Sequence, residues 1–176
     1  MSIFSRDPLA HPEELIRRVY AYVAYRIGDG PDAEDVTGET FLRALRYRGS
    51  YDSRKGEPGA WLIGIARRCI DDARTWGTIT LADVPEQVAP DNPEEEVAER
   101  LVLRAAVASL DERDRELIAL RYGADLTARQ IAETLGLRTN AVEVALHLAL
   151  ARLRGELEDQ APHGEVHGAG EEPVRV

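Results

Sequence analysis

Residues 126–142 read Leu126-Thr127-Ala128-Arg129-Gln130-Ile131-Ala132-Glu133-Thr134-Leu135-Gly136-Leu137-Arg138-Thr139-Asn140-Ala141-Val142, an order that predicts a helix, a glycine turn and a second helix. Thr127 is placed to cap the first helix, with Gln130 reaching back from three positions on. Ile131 and Leu135 share a face, and Gly136 supplies the left-handed residue that ends the helix. Ala132 is small where two crossing helices approach, and Val142 is apolar where the second helix seats on the first. This is a helix-turn-helix pattern, whose second helix usually enters the DNA major groove. Taken alone, the stretch also fits a plain helical hairpin within a bundle.

Working outward, Glu94 to Ala108 reads as a helix with Val97, Leu101, Ala105 and Ala108 inward. Asp111 to Tyr122 reads as another, and the helix-turn-helix runs on to about Leu157. These helices make one small domain over 94–158. Upstream, Pro12 to Ile27 carries Leu15, Ile16, Val19, Tyr20, Val23 and Ile27 on one helical stripe. Gly28-Asp29-Gly30 breaks it, and Pro31 suits the first position of the next helix, with Asp32, Glu34 and Asp35 in its favourable first turn. Val36, Phe41, Ala44 and Leu45 form that helix's expected buried face. Residues 48–59 hold three Gly, one Pro and two Ser and read as a loop. From Ala60 to about Trp76 the set Trp61, Leu62, Ile65, Ala66, Cys69, Ile70 and Ala73 makes a third stripe. The expected architecture is all-α: a first domain over 10–77, a flexible acidic linker over 78–93 containing Pro85, Pro90 and Pro93, the second domain, and a disordered acidic tail over 159–176.

The chain of 176 residues is 44% hydrophobic and 31% charged, which fits a soluble globular protein. It has no apolar run near the ~20 residues of a membrane span and no signal-peptide pattern, so a cytoplasmic location is expected. Cys69 stands alone, which excludes an internal disulfide. Its apolar register makes it a small buried residue. The net charge of -10 is unevenly spread: residues 1–77 balance 12 basic against 12 acidic side chains, so the excess acid lies in the linker, second half and tail. A glycine-rich phosphate loop and an HExxH motif are both missing, and His11, His147, His163 and His167 are scattered. No enzyme activity, cofactor or metal site is expected, and no small-molecule substrate.

Three blocks now carry a resemblance. The first is Asp32-Ala33-Glu34-Asp35-Val36 with Glu39-Thr40-Phe41-Leu42-Arg43-Ala44. The second is Ala60-Trp61-Leu62 with Ile65-Ala66-Arg67 and Asp72. The third is Leu110-Asp111-Glu112-Arg113-Asp114-Arg115-Glu116 with Leu120-Arg121-Tyr122-Gly123, leading into the helix-turn-helix. In this order, around a proline-containing linker, they make residues 12–155 resemble a bacterial RNA polymerase sigma factor of the two-domain extracytoplasmic-function (ECF) type. The resemblance implies a first domain that grips core RNA polymerase and opens the -10 promoter element, and a second that reads the -35 element. Core polymerase and promoter DNA are the implied partners, an anti-sigma factor is a candidate one, and no membrane is involved.

The residues that would do this follow from the same likeness. Asp35, Glu39, Phe41, Arg43 and Arg46 of the second helix are implied to meet polymerase. Tyr51, Arg54, Lys55, Trp61, Arg67, Arg68 and Arg74 are implied to hold the -10 strand, with Tyr51 and Arg54 suited to stack on a flipped base and hold its backbone. Asp71 and Asp72 follow Arg67 and Arg68 at i,i+4, which predicts local neutralisation of part of that charge. Thr127, Arg129, Arg138, Thr139, Asn140, Glu143 and His147 are implied to face the -35 element. The sequence departs from the family at Gly38, where glutamine is usual, at Arg68, where asparagine is usual, and over Glu143-Val144-Ala145, where relatives tend to place Lys, Ser and Arg. Two rival readings stay open: a helix-turn-helix regulator that acts without polymerase, and a degenerate sigma-like protein that has lost promoter opening.

Overall fold

The computed structural model describes residues 7–77, 79 and 94–160. The described residues form helices α1 (Pro12–Ile27), α2 (Pro31–Arg46), α3 (Pro58–Thr75), α4 (Glu94–Ser109), α5 (Glu112–Ile118), α6 (Ala128–Leu135) and α7 (Thr139–Gln160). A short 3-10 turn covers Arg48–Ser50, and α5 runs into a π-turn over Ala119–Gly123. No helix among these residues is long and apolar enough to cross a membrane. The predicted linker lies outside the described residues apart from Ile79, which is buried. Of the predicted tail, Asp159 and Gln160 continue α7, and residues 161–176 lie outside the described set.

Local chemistry sets the boundaries. α1, α2 and α3 each open on proline at the first helical position, where the missing N–H would have had no acceptor. Thus α3 begins at Pro58, two residues before the apolar stripe suggests. In the helix-turn-helix the predicted cap is complete: Thr127 N donates to Gln130 Oε1 at 2.8 Å and Gln130 N donates to Thr127 Oγ1 at 3.3 Å. Gly136 closes α6 in the left-handed region at φ 67°. Asp111 caps α5 by accepting from Asp114 N at 2.8 Å.

The two sets of helices are packed together. One hydrophobic cluster runs from Leu15, Val19, Tyr22 and Val23 of α1 through Leu62, Ile63 and Ile70 of α3 to Leu117, Leu120, Leu126, Ile131 and Val142 beyond the linker. A smaller cluster of Ala106, Val107, Leu110, Ile118, Ala149 and Leu153 joins α4, α5 and α7. Because α1 packs against α2, α3 and the π-turn, it buries more than one stripe. Tyr22 and Arg26 are buried where the sequence marks neither, and Ile16, expected inward, is exposed. On α2 the buried face is Ala33, Val36, Thr37, Thr40 and Ala44, with Leu45 outside it. Thr40 is accommodated because its hydroxyl donates to Val36 O at 2.7 Å. On α4 the inward residues are Ala106 and Val107, followed by Leu110, while Leu101 and Ala108 are exposed. Apolar residues surround that helix, so its period alone selects no face.

Gly38 sits inside α2, and a Cβ added there meets nothing within 4 Å. Gly38→Ala is therefore expected to raise stability by about 0.5–1 kcal/mol, read as a higher urea midpoint. Burial pushes the Tyr22 phenol up to about 12, although its neighbour Arg26 pulls the other way. A folded pKa above the ordinary 10 means that the neutral phenol contributes its full stability below pH 10, and that this contribution is lost as pH rises to about 12. The loss amounts to about 3 kcal/mol. Chemical denaturation between pH 9 and pH 12 is expected to show a shallower decline for Tyr22→Phe, although Tyr20, also raised first by burial, keeps part of the slope.

Candidate promoter and polymerase interface

The first surface is α2. Its outward stripe, opposite Ala33, Val36, Thr37, Thr40 and Ala44, carries Asp35, Gly38, Glu39, Leu42, Leu45 and Arg46. Leu42 is 53% and Leu45 56% exposed, a pair of apolar side chains left in water beside charged ones. Sequence reasoning missed both as surface residues, although counting outward from Glu39 in steps of three places them there. Asp35, Glu39, Arg43 and Arg46 line a groove closed on the other side by Ile65, Arg68, Asp72 and Trp76 of α3 and its end, with Trp76 76% exposed. Arg43 spans the groove, donating to Glu39 Oε1 at 2.7 Å and to Asp72 Oδ2 at 2.6 Å. Those two bonds hold its guanidinium pKa above the usual range. Phe41 packs against the core instead of joining the groove.

The second surface is the loop 47–57 with α3. Tyr51 and Trp61 meet with ring centroids 5.4 Å apart and planes tilted by 57°. Tyr51 Oη donates to Gly56 O at 3.0 Å, which folds the loop over the start of α3. Arg54 is paired with Asp52 at 3.0 Å, and that hydrogen bond lowers the Asp52 carboxyl to about 2. Lys55 is exposed beside them. The α3 arginines depart from the predicted i,i+4 pairing. Asp72 is taken by Arg43, Arg68 is exposed in the groove, and Arg67 donates instead to Glu116 Oε1 of α5 at 2.7 Å. Arg74 donates to Glu112, whose carboxyl is lowered chiefly by that bond. Long-range packing wins because Glu112 and Glu116 are also held by Arg26, at 3.0 Å each. Burial opposes the Arg26 charge, but Tyr22, Glu116 and Glu112 outweigh it, so its pKa is raised. The sequence places both acids in the third block but gives them no partner, since nothing in their own helix marks the arginines they meet.

The third surface is the start of α7. Arg138, Asn140, Glu143 and His147 are exposed and Thr139 is half-exposed, so these positions share one accessible end. Thr127 is engaged as the α6 cap, and Arg129 pairs with Glu133 at 3.1 Å. Farther along, Val144 is 61% and Leu148 48% exposed, lining a shallow groove against Asp111, Arg113 and Asp114. Arg152 is drawn away from the accessible end by its pair with the buried Asp114.

Comparison with known proteins gives these surfaces a common context. Residues 13–75 match the family Sigma-70 region 2, and residues 94–153 match Sigma-70, region 4. The chain is 33% identical over 151 residues to the ECF RNA polymerase sigma factor BldN of Streptomyces coelicolor, covering 81% of this chain and 57% of that protein. It is 31% identical over 148 residues to the ECF RNA polymerase sigma factor SigL of Mycobacterium tuberculosis, covering 80% of this chain and 83% of SigL. Among solved structures, the sigma factor RpoE in complex with the anti-sigma factor NepR from Bartonella quintana shares the fold at TM-score 0.63 and 18% identity, covering 84% of this chain and 94% of that one. CnrH, solved with the cytosolic domain of CnrY, aligns at TM-score 0.60 and 22% identity, covering 87% and 86%. With region 2 on α1 to α3, region 4 on α4 to α7, and a relative matched over most of its length, the chain belongs to the ECF RNA polymerase sigma factors.

Proposed function

We propose that this sigma factor, acting in the cytoplasm, binds core RNA polymerase through the outward face of α2, holds the -10 strand with α3 and the loop before it, and meets the -35 element with the start of α7. Residues 10–77 and 94–158 are its two working domains. The observation that carries the reading is the α2 stripe. Leu42 and Leu45 gain nothing from water, and Asp35, Glu39 and Arg46 frame them with charge of both signs, which suits a charged helical partner. Tyr51 and Trp61 supply the stacking surface that an unpaired base requires, with Arg54 and Lys55 near its backbone. The polymerase supplies the catalysis, and a chain of net charge -10 relies on it for most of its grip on DNA.

The deciding experiment adds the protein to core polymerase on genomic DNA and maps the transcript starts. Starts at defined sites that depend on the protein are the expected result. Polymerase binding without starts would favour the degenerate sigma-like reading, which has its own support in the apolar Val144 and Leu148 on α7. Tight, sequence-specific binding to duplex without polymerase would favour the stand-alone regulator.

A further inference from the structure

Resting on the reading of the start of α7 as the -35 surface, we infer that Val144 and Leu148 read thymine there, seating their apolar side chains against 5-methyl groups in the major groove. α7 carries apolar residues on two sides. Val142, Leu146, Ala149 and Leu153 are buried against the rest of the domain. Ala141, Val144, Ala145 and Leu148 follow at helical spacing on another side and line the shallow groove beside α5. Packing accounts for the first set and leaves Val144 and Leu148 of the second in water.

Position makes this stripe a base reader. In a helix-turn-helix the second helix enters the major groove with its N-terminal residues against the base edges. The stripe starts beside the exposed Asn140, which lines the same groove as Val144 and Leu148. Charge at the rim favours DNA over an apolar protein helix. Arg113 of α5 and Arg138 at the head of α7 are exposed and form no ion pair among the described residues, which suits a phosphate backbone. The acids of the groove are already engaged: Asp111 accepts from Asp114 N, and Asp114 pairs with Arg152. Glu143 opposes every sequence alike, so it weakens affinity and leaves the choice of base to the apolar pair.

The chemistry selects one base. In the major groove guanine offers two acceptors, adenine an acceptor and a donor, and cytosine a donor, whereas thymine sets a methyl beside its acceptor. Valine and leucine side chains have no donor or acceptor, so against guanine, adenine or cytosine they strip water from a polar edge and return nothing. Against thymine they exchange water for a methyl contact. Val144 and Leu148 are one turn apart, a rise of about 6 Å. Base pairs stack at about 3.4 Å, so the two methyls belong to pairs about two steps apart, on either strand. Ala141 and Ala145 keep the surface beside them low, which lets the helix come close. The two side chains that would mark lost promoter reading if idle thus supply a base preference without a hydrogen bond.

The test takes a template from the mapped starts and replaces each thymine of its -35 element singly by deoxyuridine, on both strands, with holoenzyme made from wild-type or variant protein. Deoxyuridine keeps the pairing and the O4 acceptor and removes only the methyl. Open-complex formation by the wild type is expected to fall about fourfold at each of two thymines about two pairs apart, the factor that one buried methyl represents. Val144→Ala is expected to abolish the response at one of them and Leu148→Ala at the other, while Val144→Ile and Leu148→Met retain it. These positions are exposed, so the variants are expected to melt with the wild type. A second arm needs no polymerase: fluorescence anisotropy of the full chain at low salt with labelled duplexes of alternating dA-dT or alternating dA-dU. The wild type is expected to favour the dA-dT duplex by about fourfold or more, and the chain carrying both alanines to bind the two alike. No deoxyuridine response in the wild type, or one that survives in both alanine variants, overturns the inference. Loss of polymerase binding in the alanine variants without any deoxyuridine response also overturns it and makes the stripe a protein contact. Failure of the sigma-factor reading shows differently, as missing protein-dependent starts, and the duplex arm then decides whether the methyls are read.

Discussion

Leu42→Asp is expected to weaken assembly with core polymerase by about 30- to 100-fold, equivalent to about 2–3 kcal/mol at a central apolar anchor, while leaving the free protein folded. Leu42 lies opposite the stripe Ala33, Val36, Thr37, Thr40 and Ala44, so a charge there faces water and costs stability within about 0.5 kcal/mol. Leu45→Asp, one step along the same face, is expected to act in the same direction. Reversing Glu39 and Arg43 is a poorer test than the sequence suggests. Arg43 also holds Asp72 of α3, and its reversal sets a new acid against Asp72, disturbing the α2 and α3 pairing itself. Titration of labelled core polymerase with wild-type and Leu42→Asp protein, alongside melting curves for both, separates loss of contact from loss of fold. Undiminished binding by a folded Leu42→Asp variant would place the polymerase contact away from this stripe.

What the sequence made legible was local. Capping and turn chemistry act over three or four residues, so Thr127, Gln130 and Gly136 announced α6, and Pro31 announced the start of α2. What it concealed lies between segments. Tyr22 and Arg26 look like outward residues until a second domain covers their side of α1. Thr37 and Thr40 look polar, yet both are buried, Thr40 with its hydroxyl bonded to its own backbone, while Leu45 faces solvent. Helical spacing correctly raised neutralisation of the α3 arginines but chose the wrong acids. An i,i+4 pair on a helix surface is worth only about 0.3–0.5 kcal/mol, so a partner brought in by packing replaces it easily. Glu112 and Glu116 carry no local signal, since their role depends on Arg26, 86 and 90 positions earlier, reaching α5 through the core.

Glu143→Lys is expected to strengthen open-complex formation on every -35 sequence alike, instead of switching one base preference by about 1–3 kcal/mol. Glu143 is exposed one turn from Asn140 at the accessible start of α7 and has no ion pair among the described residues. An unpaired acid there repels phosphate, and its replacement by a cation adds about one phosphate contact, which the salt slope reports. A cytosine-reading glutamate would need neighbours that hold its geometry. Val144 and Ala145 beside it and Leu148 beyond are apolar, and Arg152 is turned toward Asp114. Open-complex assays with polymerase on single-base -35 variants, at two salt concentrations, separate the outcomes. A uniform gain with a steeper slope supports backbone repulsion, and a gain or loss confined to one base position assigns Glu143 to base reading. An unchanged result on every template would mean that α7 does not meet DNA at this residue.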